Sequence, residues 1–164
     1  MNNYLITVIG ATAIGKTALS IKLAQHFNTA IISCDSRQFY KEMNIGTAVP
    51  SAEELAAATH HFIQNRSIFE DYSVGHFEKD ALLKLEELFS KNNVVIMVGG
   101  SGLYTNAVID GLDFFPEVNP EIREKLNLQL QNEGIEILQN KLKELDIESY
   151  NSIEIENPHR LIRA

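Results

Sequence analysis

Leu5-Ile-Thr-Val-Ile9, followed at once by Gly10-Ala-Thr-Ala-Ile-Gly-Lys-Thr17, decides the fold of this chain. The first stretch is a β-branched apolar run typical of a buried strand. The second fits the phosphate-loop pattern G-x-x-x-x-G-K-[ST], which requires a strand before it and a helix after it. Two glycines let successive N–H groups turn inward around an anion, and the following helix aims its positive end at the same point. A glycine-rich turn without a ligand is the alternative, and the flanking elements argue against it.

The predicted phosphate site uses the whole loop. We expect the ammonium group of Lys16 to reach the terminal phosphates and the hydroxyl of Thr17 to ligate Mg²⁺. The residues predicted to bind a diphosphate or a nucleotide are Gly10, Ala11, Thr12, Ala13, Ile14, Gly15, Lys16 and Thr17.

Composition and charge narrow the class of protein. The 164 residues are 45% hydrophobic, which is enough for one substantial core, with a second, smaller subdomain left open. No apolar run approaches the length of a membrane span, the N-terminus lacks a secretion signal, and Cys34 has no disulfide partner. These features predict a cytoplasmic protein without a membrane partner. The net charge of −8 disfavours broad electrostatic binding of nucleic acid but leaves a localised basic site open.

Alternating strand and helix patterns predict an α/β fold. A helical stripe covers 18–27 and Thr29–Cys34 forms the next strand, so the two strands around this helix should be parallel neighbours or near-neighbours. A helix after Tyr72-Ser73 precedes the apolar run Val94–Val98, which is typical of a strand covered on both faces. We therefore predict a three-layer α/β/α core with a parallel sheet, similar to phosphate-loop NTPases.

The C-terminal part of the chain is charged, helical and poor in strands. Pro116 falls in a polar linker, and helices are predicted over 121–132 and 135–145, separated by Gly134. The last eight residues look like the opening of a helix without a stop signal, so we expect the chain to be part of a longer protein. The predicted domains are a phosphate-loop core over 1–115 and the start of a helical insertion over 116–164.

Asp35 lies just past the predicted second strand, at the edge where open α/β sheets bind ligands. Its carboxylate could accept a proton from a substrate nucleophile or hold Mg²⁺ through water, and a capping or turn role is the alternative. After the later apolar strand, Gly99-Gly100 stands where many phosphate-loop NTPases carry a metal-binding aspartate, which disfavours motor-like ATP hydrolysis. Ser101 would place a hydroxyl near the phosphates.

Other reactive side chains have simpler interpretations. His60-His61 lacks partners at zinc-ligand spacing, which disfavours a zinc site. Cys34 is expected to be buried, and its acidic neighbour should raise the pKa of the thiol, which disfavours a reactive thiolate. Four arginines could bind phosphate or form surface ion pairs, namely Arg37, Arg123, Arg160 and Arg163.

Six motifs follow one another through nearly the whole chain. They are Gly10-Ala-Thr-Ala-Ile-Gly-Lys-Thr17, Asp35-Ser-Arg-Gln-Phe-Tyr40, Gly46-Thr-Ala-Val-Pro50, Thr59-His-His61, Tyr72-Ser-Val-Gly-His-Phe77 and Gly99-Gly-Ser-Gly-Leu-Tyr104. In this order they resemble the tRNA dimethylallyltransferase (isopentenyltransferase) family. The resemblance implies transfer of a dimethylallyl group from dimethylallyl diphosphate to N6 of an adenosine next to the anticodon, with release of diphosphate.

The resemblance also implies roles for particular residues. Lys16, with Mg²⁺ on Thr17, would stabilise the departing diphosphate, and Asp35 would be the general base for the amine. Ser101, where the family usually has threonine, would contact substrate or assist the diphosphate. The positions implied to contact the tRNA anticodon stem-loop are Asp35, Ser36, Arg37, Gln38, Ser101, Arg123, His159, Arg160, Leu161, Ile162 and Arg163.

The resemblance has limits. Glu156-Asn157-Pro158 stands where the family often has Asn-Asp, which leaves the register of the last eight residues open. Family members are roughly twice this length, so we expect a fragment that binds diphosphate but is inactive alone. We also expect the chain to be monomeric. A small-molecule phosphate-loop kinase and an isopentenyltransferase acting on free AMP or ADP are the alternative enzymes. A nucleotide-binding switch is the alternative outside catalysis.

Overall fold

A computed structural model describes residues 2–112 and 118–164. The chain divides into two compact units, Met1–Asp113 and Phe114–Ala164. The predicted domain boundary between residues 115 and 116, and the linker proline at 116, lie outside the described residues. Within the described part, no helix is long and apolar enough to cross a membrane.

The first unit is built on a parallel sheet of four strands. The strands run in the order β1-β4-β2-β3, so β1 and β2 are near-neighbours on either side of β4. The elements of this unit are β1 (Tyr4–Ile9), α1 (Lys16–Phe27), β2 (Ile31–Ser33), α2 (Ala52–Ala57), β3 (His60–His61), α3 (Val74–Phe89), β4 (Val94–Gly99) and α4 (Gly102–Ile109).

Helices cover both faces of this sheet. Successive residues of a strand point to opposite faces, and β2 shows the consequence. Ile31 packs with Ile21 and Ala24 of α1, whereas Ile32 belongs to a larger cluster that includes Phe77 and Ala81 of α3. The predicted α/β fold with a parallel sheet and helical layers on both sides is confirmed.

Local signals in the sequence set most helix starts. Ser51 and Glu54 form a capping box at the start of α2, and Ser73 pairs with His76 in the same way at the start of α3. Helix α1 begins at Lys16, two residues before the predicted start. Helix α3 ends at Phe89, with Ser90 as its C-cap.

The described residues of the second unit, 118–164, form four helices. They are α5 (Pro120–Glu133), α6 (Ile135–Leu145), α7 (Ile147–Ser152) and α8 (Pro158–Arg163). Leu138, Leu142 and Leu161 form its buried core. Helix α7 was not predicted because it is short and polar, although the Asp146 carboxylate caps it by accepting hydrogen bonds from two N–H groups of its first turn.

Candidate active site

The glycine loop between β1 and α1 presents backbone N–H groups at a helix N-terminus. Gly15 is the N-cap of α1 with φ 92, a left-handed conformation that residues with a Cβ resist. Since this residue has no side chain, no side-chain oxygen caps the first turn of α1. The unsatisfied N–H groups and the helix dipole together favour an anion at this point.

Lys16 is the first residue of α1 and lies over this loop. Its Nζ donates a hydrogen bond of 2.7 Å to the carbonyl oxygen of Ala11. An ammonium group has three N–H donors, so this bond orients the side chain across the loop while two donors remain for a ligand.

A cavity of about 290 Å³ joins the glycine loop to the second and third strands. Lys16, Thr17 and Asp35 all line this cavity, although they come from different elements. The expectation that Asp35 lies close to the phosphate loop is therefore met by the geometry. The remaining lining residues are Thr12, Ala13, Gly15, Ala18, Ser33, Gln38, Ala48, Pro50, Glu54, His60, Ile63, Val98 and Gly99.

Asp35 opens the turn that follows β2. One carboxylate oxygen, Oδ1, accepts a hydrogen bond of 3.1 Å from the N–H of Arg37, and the carbonyl oxygen accepts one from the N–H of Gln38. The other oxygen, Oδ2, lies toward Gly100, where an added Cβ would be 3.5 Å away. Asp35 can therefore stabilise the turn through Oδ1 and still use Oδ2 in a reaction. The structural role and the chemical role are compatible because each uses a different oxygen.

A close approach of two strands brings this turn to the end of β4. A Cβ on Gly99 would lie 2.5 Å from Sγ of Cys34 and 2.7 Å from its carbonyl carbon, so only glycine fits. The N–H of Cys34 donates to the carbonyl of Val98 at 2.8 Å.

Burial is the main cause that raises the pKa of the Cys34 thiol, and the charge of Asp35 raises it further. The thiol is therefore protonated and buried, as expected, with burial rather than the acidic neighbour as the larger cause.

Ser101 joins the same two turns through Ser36. Its Oγ accepts a hydrogen bond of 3.2 Å from the N–H of Ser36 and donates one of 3.1 Å to the Ser36 hydroxyl. Ser101 is not among the residues that line the cavity. In this structure its hydroxyl holds the turn after β2 against the turn after β4.

His60 lines the cavity, a placement that the sequence pattern did not predict. Its Nδ1 lies 2.9 Å from the carbonyl oxygen of Ala58, which can only accept, so Nδ1 carries the proton. Its Nε2 is buried without a hydrogen-bond partner. Within the described residues, no group of three or more histidine, cysteine or acidic side chains could hold a metal ion. The Thr59-His-His61 motif was the only signal for this position.

The residues implied to contact tRNA are divided between the two units. Those of the first unit, Asp35 to Gln38 and Ser101, surround the turn after β2. In the second unit His159, Arg160 and Arg163 are exposed, as is Arg123, whereas Leu161 is buried in the core and Ile162 packs against it. Arg160 lies 3.5 Å from a carboxylate oxygen of Glu154.

Fold and site define a class of protein. A parallel sheet with helices on both faces, a Gly-Lys-Thr loop after its first strand and the Asp35 turn after its second is an α/β fold with a candidate ligand site at one edge of the sheet.

The chain belongs to the IPP transferase family, whose model matches residues 38–164. The tRNA dimethylallyltransferase of Christiangramia forsetii is 66% identical over 164 residues, which is all of this chain and 54% of that protein. That of Flavobacterium psychrophilum is 67% identical over 159 residues, covering 97% of this chain and 52% of the relative. These matches confirm the resemblance read from the six motifs. The chain spans about half the length of the curated relatives it matches.

Solved structures show the same fold. The full-length tRNA isopentenylpyrophosphate transferase of Bacillus halodurans matches with a TM-score of 0.66 and 34% identity, covering 99% of this chain and 54% of that one. A eukaryotic dimethylallyltransferase acting on tRNA matches with a TM-score of 0.81 over 99% of this chain and 40% of its own. Its identity is 23%, so the likeness is one of fold.

Proposed function

We propose that this chain forms the diphosphate-binding and catalytic part of a tRNA dimethylallyltransferase. The observation that carries the proposal is the single cavity lined by Lys16, Thr17 and Asp35. The cavity supports the proposal because transfer of a group from a diphosphate to an amine requires an anion-binding group and a base close together, and a glycine loop with a lysine and a carboxylate line this space. Membership of the IPP transferase family and the names of the relatives support the same substrates.

In the proposed reaction, N6 of a tRNA adenosine attacks C1 of dimethylallyl diphosphate. The C1–O bond breaks, and diphosphate leaves with the bonding electrons. Lys16 and the N–H groups at the start of α1 stabilise the charge that develops on the leaving oxygens. The Asp35 carboxylate takes the proton that N6 loses, through Oδ2, because Oδ1 is engaged by the backbone. The base must leave its stack to reach this position.

The donor set of the cavity fits Mg²⁺. A threonine hydroxyl is a hard oxygen ligand, and Mg²⁺ is usually held by only one or two protein groups together with substrate phosphates and water. The Thr17 hydroxyl would hold the ion, which when bound would neutralise charge on the diphosphate. Since no larger cluster of metal ligands exists in the described part of the chain, we expect the ion to bind together with the diphosphate.

Binding of dimethylallyl diphosphate and of ATP to the 164-residue chain, measured by calorimetry with Mg²⁺ present, tests the cradle. We expect Lys16→Ala to weaken dimethylallyl diphosphate binding about 10- to 100-fold, because a charged hydrogen bond contributes about 1.5–3 kcal/mol. Lys22→Ala is the matched control, since it removes an exposed lysine from the same helix. Tighter binding of ATP than of dimethylallyl diphosphate would contradict the proposed function and would support the alternative of a small-molecule kinase.

Single-turnover transfer of the dimethylallyl group to tRNA tests whether Asp35 is the general base. Asp35→Asn keeps the acceptor for the Arg37 N–H, so binding of dimethylallyl diphosphate should stay within about threefold of the unchanged chain. Transfer by the intact Christiangramia forsetii relative with the matching change should fall at least about 100-fold, the range attributed to general bases. Full transfer in that variant would show that Asp35 is not the base. We further infer that the 164-residue chain alone transfers little, and transfer at the rate of the intact relative would refute that inference.

A further inference from the structure

The carboxamide of Gln38 ties three segments of the first unit together. Its Nε2 donates to the carbonyl oxygens of Thr47 at 3.1 Å and of Ala48 at 2.9 Å. Its Oε1 accepts a hydrogen bond of 3.2 Å from the hydroxyl of Ser33, the last residue of β2. A primary amide has two N–H donors, and in Gln38 both donate to the loop that contains Thr47 and Ala48.

The loop that receives these bonds forms a wall of the cavity and is conformationally costly. Ala48 and Pro50 line the cavity. Ala48 has φ 50, a left-handed conformation that costs a residue with a Cβ about 1–2 kcal/mol. Thr47 is buried, and its hydroxyl donates to the carbonyl of Met43 at 2.6 Å. Such a conformation persists only where surrounding contacts hold it, and the Gln38 amide bonds the carbonyls on both sides of this strained position.

The backbone of Gln38 belongs to the turn that carries the proposed base. Its N–H donates to the carbonyl of Asp35 at 3.1 Å, which closes the turn. Its own carbonyl accepts from the N–H of Gln64 at 2.8 Å, which anchors the turn to the segment after β3. Gln38 therefore connects the Asp35 turn with the cavity wall that contains Ala48 and Pro50.

We propose that Gln38 is a positioning residue, an inference that rests on the proposed function. It holds residues 46–50 and the Asp35 turn in register, so that the diphosphate cavity keeps its shape before any RNA binds. The family resemblance groups Gln38 with residues that contact tRNA. The two roles differ in a measurable way, because an RNA contact has no effect when RNA is absent.

The test removes the amide and measures the chain without RNA. Gln38→Met keeps a similar length without hydrogen bonds, and Gln38→Glu replaces both donors with a carboxylate that repels the loop carbonyls. Gln139→Met is the matched control, because it removes an amide-to-carbonyl bond of 3.0 Å to Ile155 in the second unit. Amide hydrogen exchange over 43–49 is followed without ligand, and dimethylallyl diphosphate binding is followed by calorimetry.

Both Gln38 variants should speed exchange over 43–49 about tenfold and weaken dimethylallyl diphosphate binding by a similar factor, whereas the control should change neither. Thr47→Val perturbs the same loop while leaving Gln38 intact. It should speed exchange and weaken binding in the same way, so the proposal remains testable if a Gln38 variant fails to fold.

Two outcomes are distinguishable. Unchanged exchange and unchanged diphosphate binding in the Gln38 variants, with a raised KM for tRNA alone in the intact relative, would overturn this inference and leave the proposed function standing. Failure of the unchanged chain to bind dimethylallyl diphosphate would overturn the proposed function and the inference with it.

Discussion

Gly99→Ala tests the close approach of β4 to β2. The added methyl group would lie 2.5 Å from Sγ of Cys34 and 2.7 and 2.8 Å from its carbonyl carbon and oxygen. Two of these three contacts are with backbone, so a side-chain rotation cannot relieve them, and the strands must separate locally. Overpacking of this kind costs about 1–3 kcal/mol, and backbone contact places the cost at about 3 kcal/mol. Reduced freedom of the unfolded chain offsets about 0.5 kcal/mol, which leaves about 2.5 kcal/mol.

The rate at which a thiol reagent labels Cys34 measures this change. Cys34 is the single cysteine of the chain and is 1% exposed, so labelling requires opening of the sheet around it. A loss of about 2.5 kcal/mol makes opening, and hence labelling, roughly 60-fold faster. Amide exchange in β2 and β4 should accelerate by the same factor.

A glycine in open space provides the control. A Cβ on Gly102, the first residue of α4, meets nothing within 4 Å, and alanine is the better helix former by about 1 kcal/mol. Gly102→Ala should therefore leave labelling unchanged or slow it. Labelling of Gly99→Ala at the rate of the unchanged chain would refute the reasoning, since it would mean that the strands adjust to the methyl group without cost.

Three further changes test other contacts by the shift of the urea midpoint. Ser101→Ala removes the acceptor of the Ser36 N–H and should cost about 1 kcal/mol, whereas Ser101→Thr should cost less than half of that; equal losses would contradict the hydroxyl pairing. Asp80→Ala should cost about 1–2 kcal/mol because the Asp80 carboxylate accepts hydrogen bonds from both the Arg66 guanidinium and the Tyr72 hydroxyl, and the loss is smaller than for a buried pair because Arg66 is 32% exposed; no loss would show a solvated pair. Leu142→Ala should cost about 2–4 kcal/mol and reduce helical circular dichroism, and a loss below 1 kcal/mol would contradict its place in the core of the second unit.

Short-range patterns predicted the elements well where each pattern was long or chemically specific. The apolar run before the glycine loop became β1, and the apolar run Val94–Val98 became most of β4. β3 contains only two residues, too few to show a strand pattern, and its pairing with Ile31 and Ile32 of β2 defines it. Helix α7 was not predicted for a related reason, since six residues with Ile147 as the one aliphatic side chain are too few to show apolar periodicity.

The candidate site was predicted as a set of residues but not as an arrangement. Lys16, Thr17 and Asp35 were expected near one another from the topology of a βαβ unit, and they share one cavity. The hydroxyl pair of Ser36 and Ser101 joins positions 65 residues apart, and no local pattern encodes such a pairing. The role of the Gln38 amide also depends on a loop whose path the sequence does not specify.

The amino-acid sequence by itself determined that a glycine loop, a lysine and a threonine would stand between a buried strand and a helix, because φ preferences and apolar periodicity act over a few residues. It likewise determined the family. Only the tertiary structure decided that β4 lies between β1 and β2, that Gly99 must lack a side chain, and that His60 faces the cavity. The physical reason is that strand order and close approach follow from packing the whole core at once, where contacts between distant residues compete for the same space.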